Sequence, residues 1–262
     1  MNSIPKNILI SIYNCRVPHI GRYCTSMTKD QKGKVALVTG ASRGIGRAIS
    51  VALAREGFTL ALWGRSKKEL AATQSICERE GAMAYEFVCD LANVRKVEKA
   101  FKQTVKSAGQ VDLLINNAGI GFRKLLEKTR PKDWDQMMAV NMRAPYLLMR
   151  LALPRMKKAK SGQIINIGSG ASNNGIPELS AYCASKFGLL GLTVAAGFEA
   201  RKYGVKVQSV LPGSTNTEFM GKRIQRKSFR LRPEDVAELV MFLVRQDGQA
   251  WTNEANLRPL VL

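Results

Sequence analysis

The chain has 262 residues, with 41 Lys and Arg against 20 Asp and Glu, a net charge of +21 and a pI near 10.1. That length suits one α/β domain or two small ones, and 45% apolar content is ordinary for a soluble globular protein. A single histidine, His19, excludes a Ser-His-Asp triad or a histidine-held metal in the body, and five irregularly spaced cysteines (Cys15, Cys24, Cys77, Cys89, Cys183) give no zinc or disulfide framework.

Proton chemistry must therefore use Tyr, Lys, Ser, Cys or carboxylates, and no metal is expected. No apolar run is taken to reach the roughly 20 residues of a membrane span, so no membrane partner is expected. The high charge invites a nucleic-acid, membrane-surface or acidic-protein partner, and it equally fits a basic proteome or compartment. No nucleic-acid module is visible, so no specific nucleic-acid partner is expected.

Residues 1–29 carry Lys6, Arg16, Arg22 and Lys29 and no acid, so they account for only four of the positive charges. The segment reads as an organelle transit peptide, a disordered tail, or sequence upstream of a start at Met27. A cytoplasmic location is the default, and a mitochondrial matrix or other organelle is the alternative.

From residue 30 onward one domain is expected. Val35 to Val38 reads as a buried strand and Gly44 to Glu56 as a helix. Phe58–Trp63, Ala84–Val88, Val111–Ile115, Gln163–Ile167 and Val205–Leu211 read as further strands, with Asn256–Val261 as a seventh. The helices between them are Lys67–Glu80, Val94–Ser107, a long one around Trp134–Met156, Ala181–Tyr203 and Pro233–Val244. Apolar strands alternating with helices predict a parallel α/β sheet covered on both faces.

The first strand runs into Thr39-Gly40-Ala41-Ser42-Arg43-Gly44-Ile45-Gly46. Glycines there allow a tight turn and close backbone approach to a pyrophosphate, which the following helix N-terminus attracts. The second strand ends Trp63-Gly64-Arg65-Ser66. Dinucleotide folds that select NAD place an acid at that seat. Here Gly64 occupies it, and Arg43 and Arg65 offer guanidinium groups suited to a 2′-phosphate, which favours NADP(H). Tyr182-Cys183-Ala184-Ser185-Lys186 puts Tyr182 and Lys186 on one helical face.

TGASRGIG resembles the TGxxxGxG motif of the short-chain dehydrogenase/reductase family, and the resemblance runs from about Gly33 to Glu234. Cys89-Asp90-Leu91, Asn116-Asn117-Ala118-Gly119, YxxxK and Pro212-Gly213-Ser214-Thr215-Asn216-Thr217 all fit it in order. The resemblance implies a Rossmann-like doubly wound sheet of about seven strands. It implies cofactor contacts from Gly40, Ser42, Arg43, Gly44, Ile45, Gly46, Arg65, Ser66, Asp90, Leu91, Asn117, Ala118, Gly119, Tyr182, Lys186, Pro212, Gly213, Thr215 and Thr217. It implies a tetrad of Asn141, Ser169, Tyr182 and Lys186, with Ser169 preferred to Ser172 because it lies thirteen residues before Tyr182. Tyr182 would exchange the proton with its pKa lowered by the nearby ammonium and the cationic nicotinamide. Ser169 would polarise the carbonyl, and Asn141 would hold a water that links Lys186 to solvent.

The leading expectation is an NADPH-dependent carbonyl reductase, with 3-oxoacyl groups on acyl carrier protein as one candidate substrate. The alternative is a dehydrogenase/reductase of small 3-hydroxy acids, sugars or other alcohols. A basic nucleic-acid-binding protein on a Rossmann scaffold would have no need of the tetrad. The ending Trp251 to Leu260 resembles a branch of general NADP-dependent reductases with an "NE…LRP" terminus. Phe219 to Arg232 holds six cations (Lys222, Arg223, Arg226, Lys227, Arg230, Arg232) and no acid. With Arg155, Lys157, Lys158, Lys160, Arg201 and Lys202 at predicted helix ends, these cations are expected to ring the mouth of the site and steer an acidic carrier. Gly188, Gly191 and Gly197 are expected to permit close helix packing in a homodimer or homotetramer.

Overall fold

The computed structural model describes residues 31–219, 230–247 and 250–260. The N-terminal segment and most of the basic stretch from 220 to 229 lie outside the described residues. Seven strands form one sheet: β1 (Val35–Thr39), β2 (Thr59–Gly64), β3 (Ala84–Val88), β4 (Val111–Asn116), β5 (Gly162–Ile167), β6 (Val205–Pro212) and β7 (Glu254–Leu257). Their order is β3-β2-β1-β4-β5-β6-β7, and each adjacent pair is parallel. Strands buried on both faces need apolar side chains at every position, and VALVT in β1 is buried throughout.

The helices are α1 (Gly44–Arg55), α2 (Lys67–Arg79), α3 (Val94–Ala108), α4 (Pro131–Met138), α5 (Ala144–Ala159), α6 (Ser180–Ala200) and α7 (Pro233–Arg245). Ser66 and Asn93 cap α2 and α3 by accepting from Glu69 N and Lys96 N, and Pro131 and Pro233 supply pre-set first turns. One core joins the sheet to α1, α2 and α7 through Ile49, Leu53, Leu70 and Val240. The other joins it to α3, α5 and α6 through Val97, Phe101, Leu148, Met156 and Ala196.

Three sequence expectations need correction. The long helix around Trp134–Met156 is two helices joined by a π turn, Ala139–Arg143, because the apolar period runs on unbroken while the backbone takes one wider turn. The last strand ends at Leu257, before Pro259, rather than at Val261. One helical segment, Ser180–Tyr203, is also long and apolar enough to cross a membrane by length and composition. Half of its apolar stretch is buried inside the fold, where Ala196 and Ala200 pack in one core with the sheet and α5, so its apolarity is explained by packing.

The strand order reverses between β1 and β4, which opens a crevice at their carboxyl ends. A buried polar chain braces the sheet beneath it. Asn116 Nδ2 donates to Asn166 Oδ1 (2.8 Å), and Asn166 Nδ2 donates to Thr193 Oγ1 on α6 (2.8 Å). Asn166→Ala leaves the buried Asn116 Nδ2 without its acceptor, which costs about 2–3 kcal/mol, while Thr193 keeps its bond to the Leu189 carbonyl (2.6 Å). We expect a melting temperature lower by roughly 5–10 °C, measured by calorimetry.

Candidate active site

The glycine turn is packed to its limit. A Cβ on Gly46 would stand 2.1 Å from the Gly40 carbonyl oxygen and 2.5 Å from Asn117 Nδ2. Gly40 and Gly44 have φ of +67° and +54°, which side chains disfavour. Thr39, which sequence reasoning passed over, holds the turn to the end of β4: its Oγ1 accepts from Asn117 N (3.0 Å) and Ala118 N (3.1 Å). Asn117 spends its amide group on the Thr39 and Gly40 carbonyls (2.9 and 3.3 Å), so its side chain braces the turn. No side chain caps α1, which leaves its first N–H groups free for an anion.

At the ribose end, a Cβ on Gly64 would stand 2.3 Å from Ser42 Oγ, so the serine hydroxyl fills the seat an NAD-selecting acid would take. Arg65 is exposed, and Ser66 is engaged as the α2 cap. Arg47, also unforeseen, ties the turn to α2 by donating to the Ser42 carbonyl, to Thr73 Oγ1 (3.0 Å) and to Glu69 (3.0 Å). Arg43 is not free as expected: its guanidinium pairs with Glu218 at 2.6 Å. Asp90 is exposed and accepts from Ala92 N, and Leu91 packs on the core beneath α3.

The tetrad converges. Ser169 follows β5, and Tyr182 hydrogen-bonds its side chain. Ser172 is buried and only caps the Gly170–Ser172 turn, where its Oγ accepts from Ser169 N (3.1 Å). Lys186 Nζ donates to the Ile167 carbonyl (2.8 Å) and stands 5.8 Å from the centre of the Tyr182 ring. Asn141, in the π turn, clasps the backbone of Ile120 through both ends of its amide (2.8 Å each) and donates to Ser185 Oγ (3.0 Å). Its side chain therefore positions the Gly119–Ile120 loop.

In the protein alone, burial dominates the electrostatics of the pair. Burial raises the Tyr182 phenol to about 12, partly offset by its bond with Ser169, and burial lowers Lys186 to about 8. The ammonium does not bring the phenol toward neutrality in the protein alone, because desolvation penalises both charged forms.

After β6, Gly213 N donates to the Leu257 carbonyl (2.8 Å), which fastens the Pro212-Gly213 turn to β7. Thr217 Cγ2 reaches to 3.2 Å from the Cβ position of Gly44. Thr215 Oγ1 bonds the Gly213 carbonyl (3.1 Å), and Asn216 Oδ1 is buried without a partner among the described residues. Phe219 lies 5.8 Å from Tyr182, and Ile120, Phe122 and Ile176 complete an apolar wall around that ring. Arg258 reaches from the end of β7 to the Leu211 carbonyl (3.1 Å) and to within 3.3 Å of the Cβ position of Gly170, beside Ser169.

The glycine turn, the uncapped helix start, the serine-filled acid seat and the Asn216 acceptor, unpartnered among the described residues, fit a dinucleotide laid across the β1–β4 crevice. Among the described residues no group of three His, Cys, Asp or Glu gathers to hold a metal.

The basic helix ends do not ring this site. α5 closes at Ala159 before β5 begins, and the Arg201–Tyr203 turn precedes β6. Lys160 therefore sits against Gly204 at the amino ends of the strands. Ser169 and Pro212 stand at the other edge, one strand or about 20 Å away. A parallel crossover requires this, since each helix returns the chain to the amino edge. Of the basic stretch after Phe219, Arg230–Arg232 are described, and Arg232 pairs with Asp235.

Fold and site together define a dinucleotide-linked oxidoreductase. The short chain dehydrogenase pattern matches residues 34–228. A Thermotoga maritima protein described as an uncharacterized oxidoreductase is 37% identical over 194 residues, covering 74% of this chain and 76% of its own length. A Staphylococcus epidermidis 3-oxoacyl-acyl-carrier-protein reductase, FabG, is 36% identical over 233 residues, covering 84% of this chain and 95% of its own. A crystal structure of a metagenomic short-chain oxidoreductase in complex with NADP superposes with a TM-score of 0.80 at 37% identity, covering 89% of this chain and 100% of that one. An alcohol dehydrogenase from the archaeon Thermococcus sibiricus, complexed with 5-hydroxy-NADP, gives 0.82 at 29% identity, covering 87% and 97%. This chain belongs to the short-chain dehydrogenase/reductase family and is an oxidoreductase enzyme.

Gly46→Ala tests the turn. Its methyl would overlap backbone, so we expect dinucleotide binding by fluorescence titration to fall at least about tenfold, an order-of-magnitude estimate from the strain of overpacking.

Proposed function

We propose that the enzyme reduces a ketone to a secondary alcohol with NADPH, and that 3-oxoacyl thioesters are its substrate class. The observation that carries this reading is the buried Tyr182, kept protonated beside Ser169 within an apolar wall. A phenol held in its acid form suits donation to a carbonyl oxygen, the reductive direction, and the wall of Phe122, Ile176 and Phe219 suits an acyl chain. Bound NADPH would supply the hydride, held by the glycine turn, Arg65, Asp90, the Ala118–Gly119 backbone and the Thr215–Thr217 segment. Ser169 and Tyr182 hydrogen-bond the carbonyl oxygen and stabilise the charge that grows there. Tyr182 gives up its proton, and Lys186 supports its replacement from within the fold. Asn141 holds the loop that borders Lys186.

The thioester assignment rests on likeness to the staphylococcal FabG reductase. The cations at the ends of α5 and α6 lie at the far edge, and residues 220–229, which hold Lys222, Arg223, Arg226 and Lys227 of the expected cations, lie outside the described residues. Arg258 favours a second reading, a small 3-oxo acid whose carboxylate meets that guanidinium beside Gly170.

Assembly is argued from the outer face of α5 and α6, where Tyr146, Phe187 and Phe198 are exposed. Gly188 and Gly197 are spent internally, against Met142 and Trp251, so Gly191, with open space at its Cβ, is the glycine left for a subunit contact. We propose a homodimer or homotetramer through this face. Gly191→Glu should shift the mass measured by light scattering toward the monomer, and a wild-type monomer at micromolar concentration would refute the proposal.

The catalytic reading is tested with a panel of carrier-bound and free 3-oxoacyl thioesters, small 3-oxo acids and sugar ketones, each with NADPH and NADH. NADPH should be preferred, and Tyr182→Phe should lose about 10²–10⁴-fold in turnover while NADPH still binds. Reduction by the wild type should decline as pH rises through about 8, where Lys186 loses its proton, well below the range where Tyr182 ionises. Near-normal turnover in Tyr182→Phe, or equal use of NADH, would overturn this reading.

A further inference from the structure

We propose that Glu218 opposes 2′-phosphate binding by competing for Arg43, and so sets how strongly the enzyme prefers NADPH to NADH; this rests on the NADPH reading above.

The two residues are 175 positions apart, and the fold delivers one to the other. Arg43 sits inside the glycine turn in extended backbone, immediately before α1. Glu218 arrives on the segment after β6. That segment is anchored on both sides of the carboxylate: Thr217 Cγ2 rests against Gly44, and the Phe219 ring packs on Tyr182. Glu218 is therefore placed at the turn by its neighbours. Arg43 Nη1 meets Glu218 Oε2 at 2.6 Å, with the two side chains 59% and 54% exposed.

Glu218 occupies Nη1 of the Arg43 guanidinium. A 2′-phosphate on Arg43 must either displace that carboxylate or share the guanidinium with it at the cost of repulsion between the two anions. NADH, which has a 2′-hydroxyl, makes no such demand. The other charged groups around the turn do not share this role. Arg47 is committed to Ser42, Thr73 and Glu69, and Glu69 answers Arg47. Arg65 is exposed and, among the described residues, without an ion-pair partner. Glu218 thus weakens one of two phosphate-binding arginines and leaves the other intact. An exposed pair of this kind contributes modestly, so the effect on affinity should be about three- to fivefold.

The test measures dissociation constants by calorimetry for 2′,5′-ADP and 5′-AMP, which differ by the 2′-phosphate. The proteins are the wild type, Glu218→Gln, Arg43→Ala and the double variant. We expect Glu218→Gln to bind 2′,5′-ADP about three- to fivefold tighter with 5′-AMP unchanged, and to gain nothing once Arg43 is removed. If 2′,5′-ADP binds the wild type no better than 5′-AMP, the NADPH reading itself falls, and this proposal with it. If the wild type prefers 2′,5′-ADP but Glu218→Gln shows no gain, the proposal alone falls. A gain that persists without Arg43, or that extends equally to 5′-AMP, would mark a general charge effect and also overturn it.

Discussion

Seven parallel strands place all their carboxyl ends on one edge, and the chemistry depends on that constraint. Thr39, Asn116, Ile167, Pro212 and Leu257 are the last residues of five different strands, and each hands the chain to a segment of the site. The glycine turn, the Asn117–Gly119 loop, Ser169, the Thr215–Thr217 segment and Arg258 are therefore neighbours because of topology, whatever their separation in sequence. The same constraint sends the C-terminal end of each helix that returns to a strand to the opposite edge. The cations of α5 and of the turn after α6 accordingly complement helix dipoles and stay remote from the substrate.

Within the site, burial divides the labour between Tyr182 and Lys186. Desolvation drives the two titrations apart, the phenol upward and the ammonium downward. Near neutral pH both groups carry a proton, which equips the pair to give one away. Operation in the oxidative direction would require a phenolate, and then a neighbouring positive charge beyond what the buried lysine contributes would have to favour it.

Much of the fold was legible in the chain. Apolar runs such as Val35-Ala36-Leu37-Val38 alternate with helical patterns, and the strands and helices fall within a few residues of their expected places, except that α4 and α5 read as one helix in the sequence. The Tyr182 and Lys186 pair was legible from local spacing on one helix, whereas Ser169 and Asn141 came from the family resemblance. What was hidden is non-local or depends on burial. The pairing of Arg43 with Glu218 spans most of the chain, and no periodic signal announces it. The uses of Gly188 and Gly197 against Met142 and Trp251 are likewise set by tertiary packing, as is the direction of the Tyr182 titration. Thr39 could have been found from its place at the head of the glycine motif, where a hydroxyl can reach two free N–H groups of the next loop.

The π turn at Ala139–Arg143 has a consequence for how this segment can change over time. Such a turn holds one residue more than a regular helix, so a single deletion would restore ordinary helical winding. The helices on either side would keep their faces, so Leu147 and Leu148 would stay in the core, while the wider turn that carries Asn141 to the Ile120 backbone would close. The length of this stretch is therefore more constrained than its composition, and substitutions should accumulate in it more readily than gaps.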